Sequence, residues 1–136
     1  MRVMLLMYPG KWAESGLPPD QAAINAGMDF NQRLIDAGVF LEAEGVYPST
    51  HGALVRFSKG KPVVTDGPFT ETKEVFGGYW ILNVASLAEA AEWASKAPLA
   101  DDGMIEIRRV ISSEDFNQET REREDRMKEQ MGRKGD

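Results

Sequence analysis

The stretch Val64-Thr-Asp-Gly-Pro-Phe-Thr-Glu-Thr-Lys-Glu-Val-Phe-Gly-Gly-Tyr-Trp-Ile-Leu82 carries most of the information about the fold. Its Asp66-Gly67-Pro68 segment is typical of a turn, because Asp accepts backbone N–H groups and Gly and Pro favour turn geometries. The Gly77-Gly78 pair permits a bulge or a close approach of two backbones. The apolar residues that follow, Tyr79 to Leu82, predict a strand that is buried on both faces.

Working outward from this strand, the hydrophobic pattern alternates between strand and helix periods. We predict a first helix from Asp20 to about Ala37, with an apolar stripe of Ile24, Met28, Leu34 and Ile35. A second helix opens at the capping box Ser86–Glu89 and stops before Pro98. The predicted strands are residues 2–8, 39–46, 53–57, 62–65, 78–84 and 104–111.

The resulting order is β-α-β, an inserted hairpin, then β-α-β. This order predicts an α+β chain with the ferredoxin-like, split βαβ plan, in which two helices cover one face of an antiparallel sheet. Residues 2–8 and 78–84 are apolar on both alternating faces. Since two helices cover only one face, we expect a second copy of the sheet to cover the other, in a homodimer.

Composition narrows the possible functions. The 136 residues fit one domain, and the chain contains no cysteine for a disulfide or a thiolate metal site. A net charge of −6 argues against nucleic-acid binding. We find no membrane-spanning run, phosphate-binding loop, dinucleotide glycine pattern or metal-ligand spacing, so we predict a cytoplasmic protein without membrane, metal or cofactor.

Four segments together resemble the DGPF branch of the YCII-related family over about residues 1 to 116. They are the central stretch, Met4 to Tyr8, Phe30 to Gly38 and Ile105 to Arg108. The resemblance implies a dimeric α+β barrel of uncharacterised function. It also implies a regulatory setting, with a sigma-factor-related partner, because DGPF proteins tend to be encoded beside extracytoplasmic-function sigma factors.

Some YCII-like relatives are thought to use a histidine–aspartate pair in acid–base chemistry, and a few act on small aromatic compounds. The helical histidine of those relatives has no counterpart here, because the predicted first helix contains none and the only histidine is His51, in a loop. A histidine mechanism therefore does not transfer. His51 itself is interpreted as a surface residue, since no fixed partner is visible in the sequence.

Five residues are candidates for a site, each with a structural alternative. Asp66 is the candidate catalytic base, or else only the residue that sets up its turn. Lys73 could neutralise an anionic ligand, or lie in solvent. Tyr79 and Trp80 should point to opposite faces of their strand. Such aromatic side chains could form a wall for a small aromatic ligand, or they could serve only to pack the dimer. Arg108, which shares a strand face with Glu106, suits a carboxylate ligand if that face is interior.

Two functions remain open on these residues. One is a non-catalytic small-molecule-binding or regulatory protein, and the other is a small enzyme with acid–base, isomerase- or lyase-like chemistry near Asp66. The first is favoured, because no complete catalytic constellation is visible.

The last part of the chain differs from the rest. We place the α+β domain at residues 1–111 and a charged helical tail at residues 112–136. Ser112 or Ser113 is expected to cap a helix that runs to about Met131, with Phe116 in its first turn. Because the tail has little apolar surface, we expect it to be ordered only where it touches something, such as the dimer mate.

Overall fold

The computed structural model describes residues 1–10, 20–67 and 76–135, with side chains as far as residue 132. The elements are β1 Arg2–Tyr8, α1 Gln21–Asp36, β2 Phe40–Gly45, β3 Ala53–Ser58, β4 Lys61–Asp66, β5 Gly78–Asn83, α2 Leu87–Ala94, β6 Met104–Arg109 and α3 Gln118–Gly135. Strands β2, β5, β1 and β6 form an antiparallel sheet in that order, and β3 and β4 form a separate hairpin. The α+β, ferredoxin-like plan predicted from the sequence is confirmed.

The core lies between this sheet and helices α1 and α2. Alternate residues of the two central strands point into it: Val3 and Leu5 from β1, and Trp80 and Leu82 from β5. Each is at most 7% exposed, so these two strands anchor the helices. Strands of this kind are stabilised mainly by apolar burial, at about 25 cal/mol per Å².

Helix α1 begins where the sequence predicted, but it buries a different face. Asp20 is its N-cap, and the carboxylate accepts a hydrogen bond from the backbone N–H of Ala23 at 2.7 Å. The buried residues are Phe30 and Leu34, four positions apart. The predicted stripe was wrong at Met28, which is 62% exposed, because it lies about 200° around the helix from Phe30.

Ile35 is also 51% exposed, whereas the sequence placed it on the buried stripe. It lies about 100° from Leu34, which points directly at the sheet. Helix α2 follows its prediction more closely. The Ser86 hydroxyl accepts from the Glu89 N–H at 3.1 Å, while the Glu89 carboxylate accepts from the Ala85 N–H at 2.8 Å.

A turn of 3₁₀ helix, Ser49–His51, holds the base of the hairpin. The N–H of Gly67 donates to the carbonyl of Gly52 at 3.0 Å, and a Cβ at Gly67 would overlap the Ser49 carbonyl oxygen. Only glycine fits at this contact. The glycine of the Asp-Gly-Pro segment is therefore required by a close approach of two turns.

The glycine pair Gly77-Gly78, at the start of β5, is required for the same reason. Gly78 has a φ of 155°, and a Cβ there would lie 2.5 Å from the carbonyl oxygen of Glu44 on the neighbouring strand. The close backbone approach predicted for Gly77-Gly78 is thus present in the sheet.

The tail forms two helical pieces rather than one. Ser112 caps only the 3₁₀ turn Ser113–Asp115, and Phe116 follows that turn in an extended conformation. Helix α3 has its own cap, the Asn117 side chain, which accepts from the Thr120 N–H at 2.9 Å. The prediction of one helix capped at Ser112 or Ser113, with Phe116 in its first turn, was wrong, because the Asn117 side chain supplies a second start beyond Phe116.

Candidate functional site

Of the helices in the described residues, α1 and α2 pack on one face of the four-stranded sheet, and we call the opposite face the open face. Directly opposite residues of antiparallel strands share a face, so the pairing register defines its membership. The register aligns Met4 with Ile81 and Leu6 with Tyr79. Extended to β2 and β6, it gives two rows across the sheet: Glu42–Ile81–Met4–Arg108 and Glu44–Tyr79–Leu6–Glu106.

The open face therefore has an apolar centre and charged edges. Met4, Leu6, Tyr79 and Ile81 are half-buried on the face opposite α1 and α2. Met104, at the start of β6, is 40% exposed. A surface of this kind, apolar in the middle and polar at the rim, is typical of a ligand or protein interface.

Together with partial burial, two acids at the β2 edge of the open face, Glu42 and Glu44, raise the pKa of Tyr79; we call the two acids the acidic edge. Partial burial raises the pKa of the Tyr79 hydroxyl above its ordinary value, and the Glu42 carboxylate raises that pKa further through its charge and a side-chain hydrogen bond. The charge of Glu44 acts in the same direction. Tyr79 is therefore held in its neutral form, as a hydrogen-bond donor to a carboxylate.

On the opposite edge, the Arg108 guanidinium donates to the Glu106 carboxylate at 2.8 Å. The two side chains are 71% and 41% exposed, so the ion pair itself stabilises the fold little. Arginine carries five N–H donors, and this pair uses one of them. Arg108, which was predicted as a ligand residue, thus lies on the open face and has further N–H groups that the pair with Glu106 does not use.

Trp80, the other aromatic candidate, points the opposite way from Tyr79. It is 7% exposed, its ring packs edge-on against Phe30 with 5.3 Å between centroids, and its indole N–H donates to the Asn31 side chain at 2.7 Å. A ligand on the open face would contact Tyr79 and not Trp80.

Asp66 does not share the open face. It ends β4 opposite Ala53 in the hairpin, and it is exposed to solvent. His51 is also exposed, with Nδ1 3.4 Å from the Thr50 hydroxyl and its ring 5.0 Å from that of Tyr47. The predicted base therefore lies in the hairpin and the single histidine in the 3₁₀ turn at its base, and neither belongs to the four-stranded sheet that carries Tyr79. Lys73 lies outside the described residues.

Sequence reasoning missed Glu42 and Glu44 as site residues. Two carboxylates two positions apart match no metal-ligand spacing, and they carry no other motif in the sequence. Their separation of two positions in a strand places both on one face, but only the register shows that this face is the one that carries Tyr79.

Two findings concern the described residues as a whole. Among residues 1–10, 20–67 and 76–135, no group of three acidic or histidine side chains is arranged to hold a metal ion. Within the same ranges, no helix combines the length and the apolar character needed to cross a membrane.

Comparison with known proteins agrees with the fold. Residues 1–117 match the YCII-related domain, and the chain belongs to that family. It is similar to the uncharacterized protein R00369 of Rhizobium meliloti (strain 1021), with 35% identity over 79 residues. That match spans 57% of this chain and 64% of the relative, whose name states no activity. Helix α3 begins one residue beyond the family match.

Proposed function

We propose that this YCII-related protein is a homodimeric small-molecule-binding protein with a regulatory rather than a catalytic role. In the dimer, the open faces of two copies enclose a pocket. The observation that supports this most directly is the half-buried apolar centre of the sheet face that neither α1 nor α2 covers. A face of this kind needs a second layer, and a symmetric copy supplies it with the same sequence.

The charges of the open face favour one arrangement of the two copies. Glu42 and Arg108 lie at opposite ends of one row, on the two outer strands β2 and β6. A two-fold axis parallel to the strands would place Glu42 over the partner's Arg108, and Arg108 over the partner's Glu42. In this row the face is complementary to itself in charge and apolar at its centre, whereas the second row brings two acids together, Glu44 and the partner's Glu106.

The pocket wall suits a small aromatic molecule with one polar substituent. Ile81, Met4 and Leu6 offer apolar contact, while Tyr79 with Glu42 and Arg108 offer hydrogen-bonding groups of both charge signs. Ligand sites commonly combine a mostly apolar lining with a few placed polar groups.

The regulatory role is preferred over acid–base catalysis because the open face carries no evident nucleophile–base pair. Asp66 as a catalytic base requires the carboxylate to line a cavity, whereas the structure exposes it at the end of β4. A sigma-factor-related partner, a cytoplasmic location and membership of the DGPF branch stay predictions from the sequence. So does the division into a domain of residues 1–111 and a tail.

The test uses two probes of matched size and opposite charge, benzylamine and benzoate, titrated into the full chain by calorimetry. We expect saturable binding of at least one probe, with a stoichiometry tied to the dimer. Tyr79→Phe should weaken that binding, and Arg108→Gln should weaken benzoate binding alone. Met28→Gln, on the solvent side of α1, is the control. Absence of binding by both probes to a well-folded dimer would contradict the small-molecule function.

A further inference from the structure

Three aromatic side chains, Tyr8, Phe76 and Tyr79, lie together at one end of the open face, and we call this group the aromatic end. Tyr8 is the last residue of β1. It lies on the open face because Met7, the residue before it, packs against the helix-covered core. Tyr79 lies opposite Leu6, two positions before Tyr8. The two tyrosines are therefore diagonal neighbours on adjacent strands, within reach of each other's rings.

Phe76 completes the aromatic end. Its ring meets that of Tyr8 edge-on, with 6.1 Å between centroids and 72° between the ring planes. Phe76 is 39% exposed and Tyr8 is half-buried, so both rings keep accessible surface. The two residues between Phe76 and Tyr79 are glycines, which have no side chains to fill the space between the rings. Aromatic rings bind apolar groups, and their electron-rich faces also attract cations.

The charges of the open face are arranged unevenly along the strands. Glu44 and Glu106 lie in the row next to Tyr8, about 7 Å away along the strands. Arg108 lies one row farther, at about 13 Å, and Arg2 lies six positions along β1, at about 20 Å. Among the described residues of this face, the acids are therefore nearer to the aromatic end than the arginines are.

The dimer of the proposed function brings two of these acids together. In the two-fold arrangement, Glu44 lies over the partner's Glu106. Within one chain Glu106 shares a hydrogen bond with Arg108, whose other role in that arrangement is to face the partner's Glu42. One arginine thus serves two acids, and Glu44 adds a third. A positive group between Glu44 and the partner's Glu106 would offset their repulsion.

The aromatic rings select the kind of cation that fits this place. Divalent metals such as Ca²⁺ take six or more oxygen ligands, and the described part of the chain has no group of three acidic or histidine side chains arranged to hold a metal ion. An ammonium ion with apolar substituents instead contacts ring faces and carboxylates at the same time.

We propose that the aromatic end binds a small organic cation, an ammonium ion with apolar or aromatic substituents, and that Glu44 and the partner's Glu106 supply the opposite charge. The inference rests on the proposed function and names the class of ligand for its pocket. The ammonium group contacts the rings of Tyr8 and Phe76, and the remainder of the ligand lies along Leu6 toward the apolar centre of the open face.

The test compares three probes that share a phenyl ring, benzyltrimethylammonium, benzyl alcohol and benzoate, by calorimetry on the full chain. We expect benzyltrimethylammonium to bind at least about tenfold more tightly than either of the others. Benzyl alcohol is the uncharged reference. Benzoate detects the opposite preference, which Lys11 and Lys73, outside the described residues, could create.

Two variants locate the site. Phe76→Leu keeps an apolar side chain but removes one ring face, and it should weaken benzyltrimethylammonium binding by about three- to thirtyfold relative to benzyl alcohol. Its matched control is Phe57→Leu, at an aromatic residue that is 79% exposed on β3. Glu44→Gln removes a charge at constant size and should weaken the cation alone, by about three- to tenfold. Glu92→Gln, exposed on α2, is the control for charge.

The outcomes separate this inference from the proposed function. If benzoate binds to the dimer and benzyltrimethylammonium does not, the ligand class is wrong and the small-molecule function stands. If the cation binds but Phe76→Leu weakens it no more than Phe57→Leu, the aromatic end is not its site. If none of the three probes binds to a folded dimer, both the ligand class and the small-molecule function are wrong.

Discussion

The two faces of the central strands share a backbone but have different environments. Leu5 is fully buried under the helices, whereas Leu6, the next residue, is half-buried on the open face. Trp80 lies at 7% exposure with its indole N–H satisfied, whereas Tyr79 is held beside two carboxylates. One face is therefore packed within a single chain, while the other keeps half-buried apolar side chains that neither α1 nor α2 covers.

The largest effect should come from a matched pair of leucines. Leu5→Ala should lower the free energy of unfolding by about 2–5 kcal/mol, because it opens a cavity in the helix-covered core. Leu6→Ala should cost about 1 kcal/mol or less in dilute, dissociated protein, since that side chain already contacts solvent. Denaturant unfolding at low and high protein concentration measures both. If both variants lost the same free energy of unfolding in dilute protein, the two faces would not differ in how they are packed within one chain.

A smaller effect should come from the polar contact in the covered face. Asn31→Ala removes the acceptor of the Trp80 indole N–H and leaves that buried donor unsatisfied. We expect a loss of about 1–3 kcal/mol in the free energy of unfolding. The control is Gln32→Ala, the next residue, whose hydrogen bond to Asp36 is exposed. If the two variants lose the same stability, the Trp80 contact contributes nothing specific.

The amount that the sequence could predict differs between these two faces. The strands, their order along the chain and the expectation of a second layer follow from alternating apolar residues and from the family resemblance that four segments carry together. The covered face was predicted less well, because local periodicity chose Met28 and Ile35 together with Leu34, while packing against the sheet buries Leu34 and Phe30.

The open-face site was predicted only in part. Tyr79 and Arg108 were named from their strands, but Glu42 and Glu44 were not, since cross-strand register depends on long-range pairing. The separate cap at Asn117 was missed for a related reason. Several hydroxyl and amide side chains near the tail can start a helix, and only the backbone path selects one.

The smallest expected effect concerns pH. Because the folded-state pKa of Tyr79 is raised above its ordinary value of 10.0, the folded protein retains that proton more tightly than the unfolded chain. The associated stability is fully present below pH 10 and is lost as the pH rises through the folded pKa. A difference titration of wild type against Tyr79→Phe, by ultraviolet absorbance, isolates this group.

Glu42→Gln should move the pKa of Tyr79 back toward 10.0, since it removes a neighbouring negative charge. Glu89→Gln, in the capping box of α2, serves as the charge-matched control. An unchanged Tyr79 titration in Glu42→Gln would show that the acidic edge of the open face does not act on the tyrosine.

The proposal that the open face is a dimer interface is tested most directly by the mass of the protein in solution, measured by light scattering at micromolar concentration. We expect twice the chain mass of 15.1 kDa for the wild type and for Met28→Glu, whose side chain faces solvent on α1. We expect the single-chain mass for Ile81→Glu, which places a charge at the centre of the open face. A folded wild-type monomer, or an Ile81→Glu dimer as stable as that of the wild type, would contradict the claim that the open face is an interface.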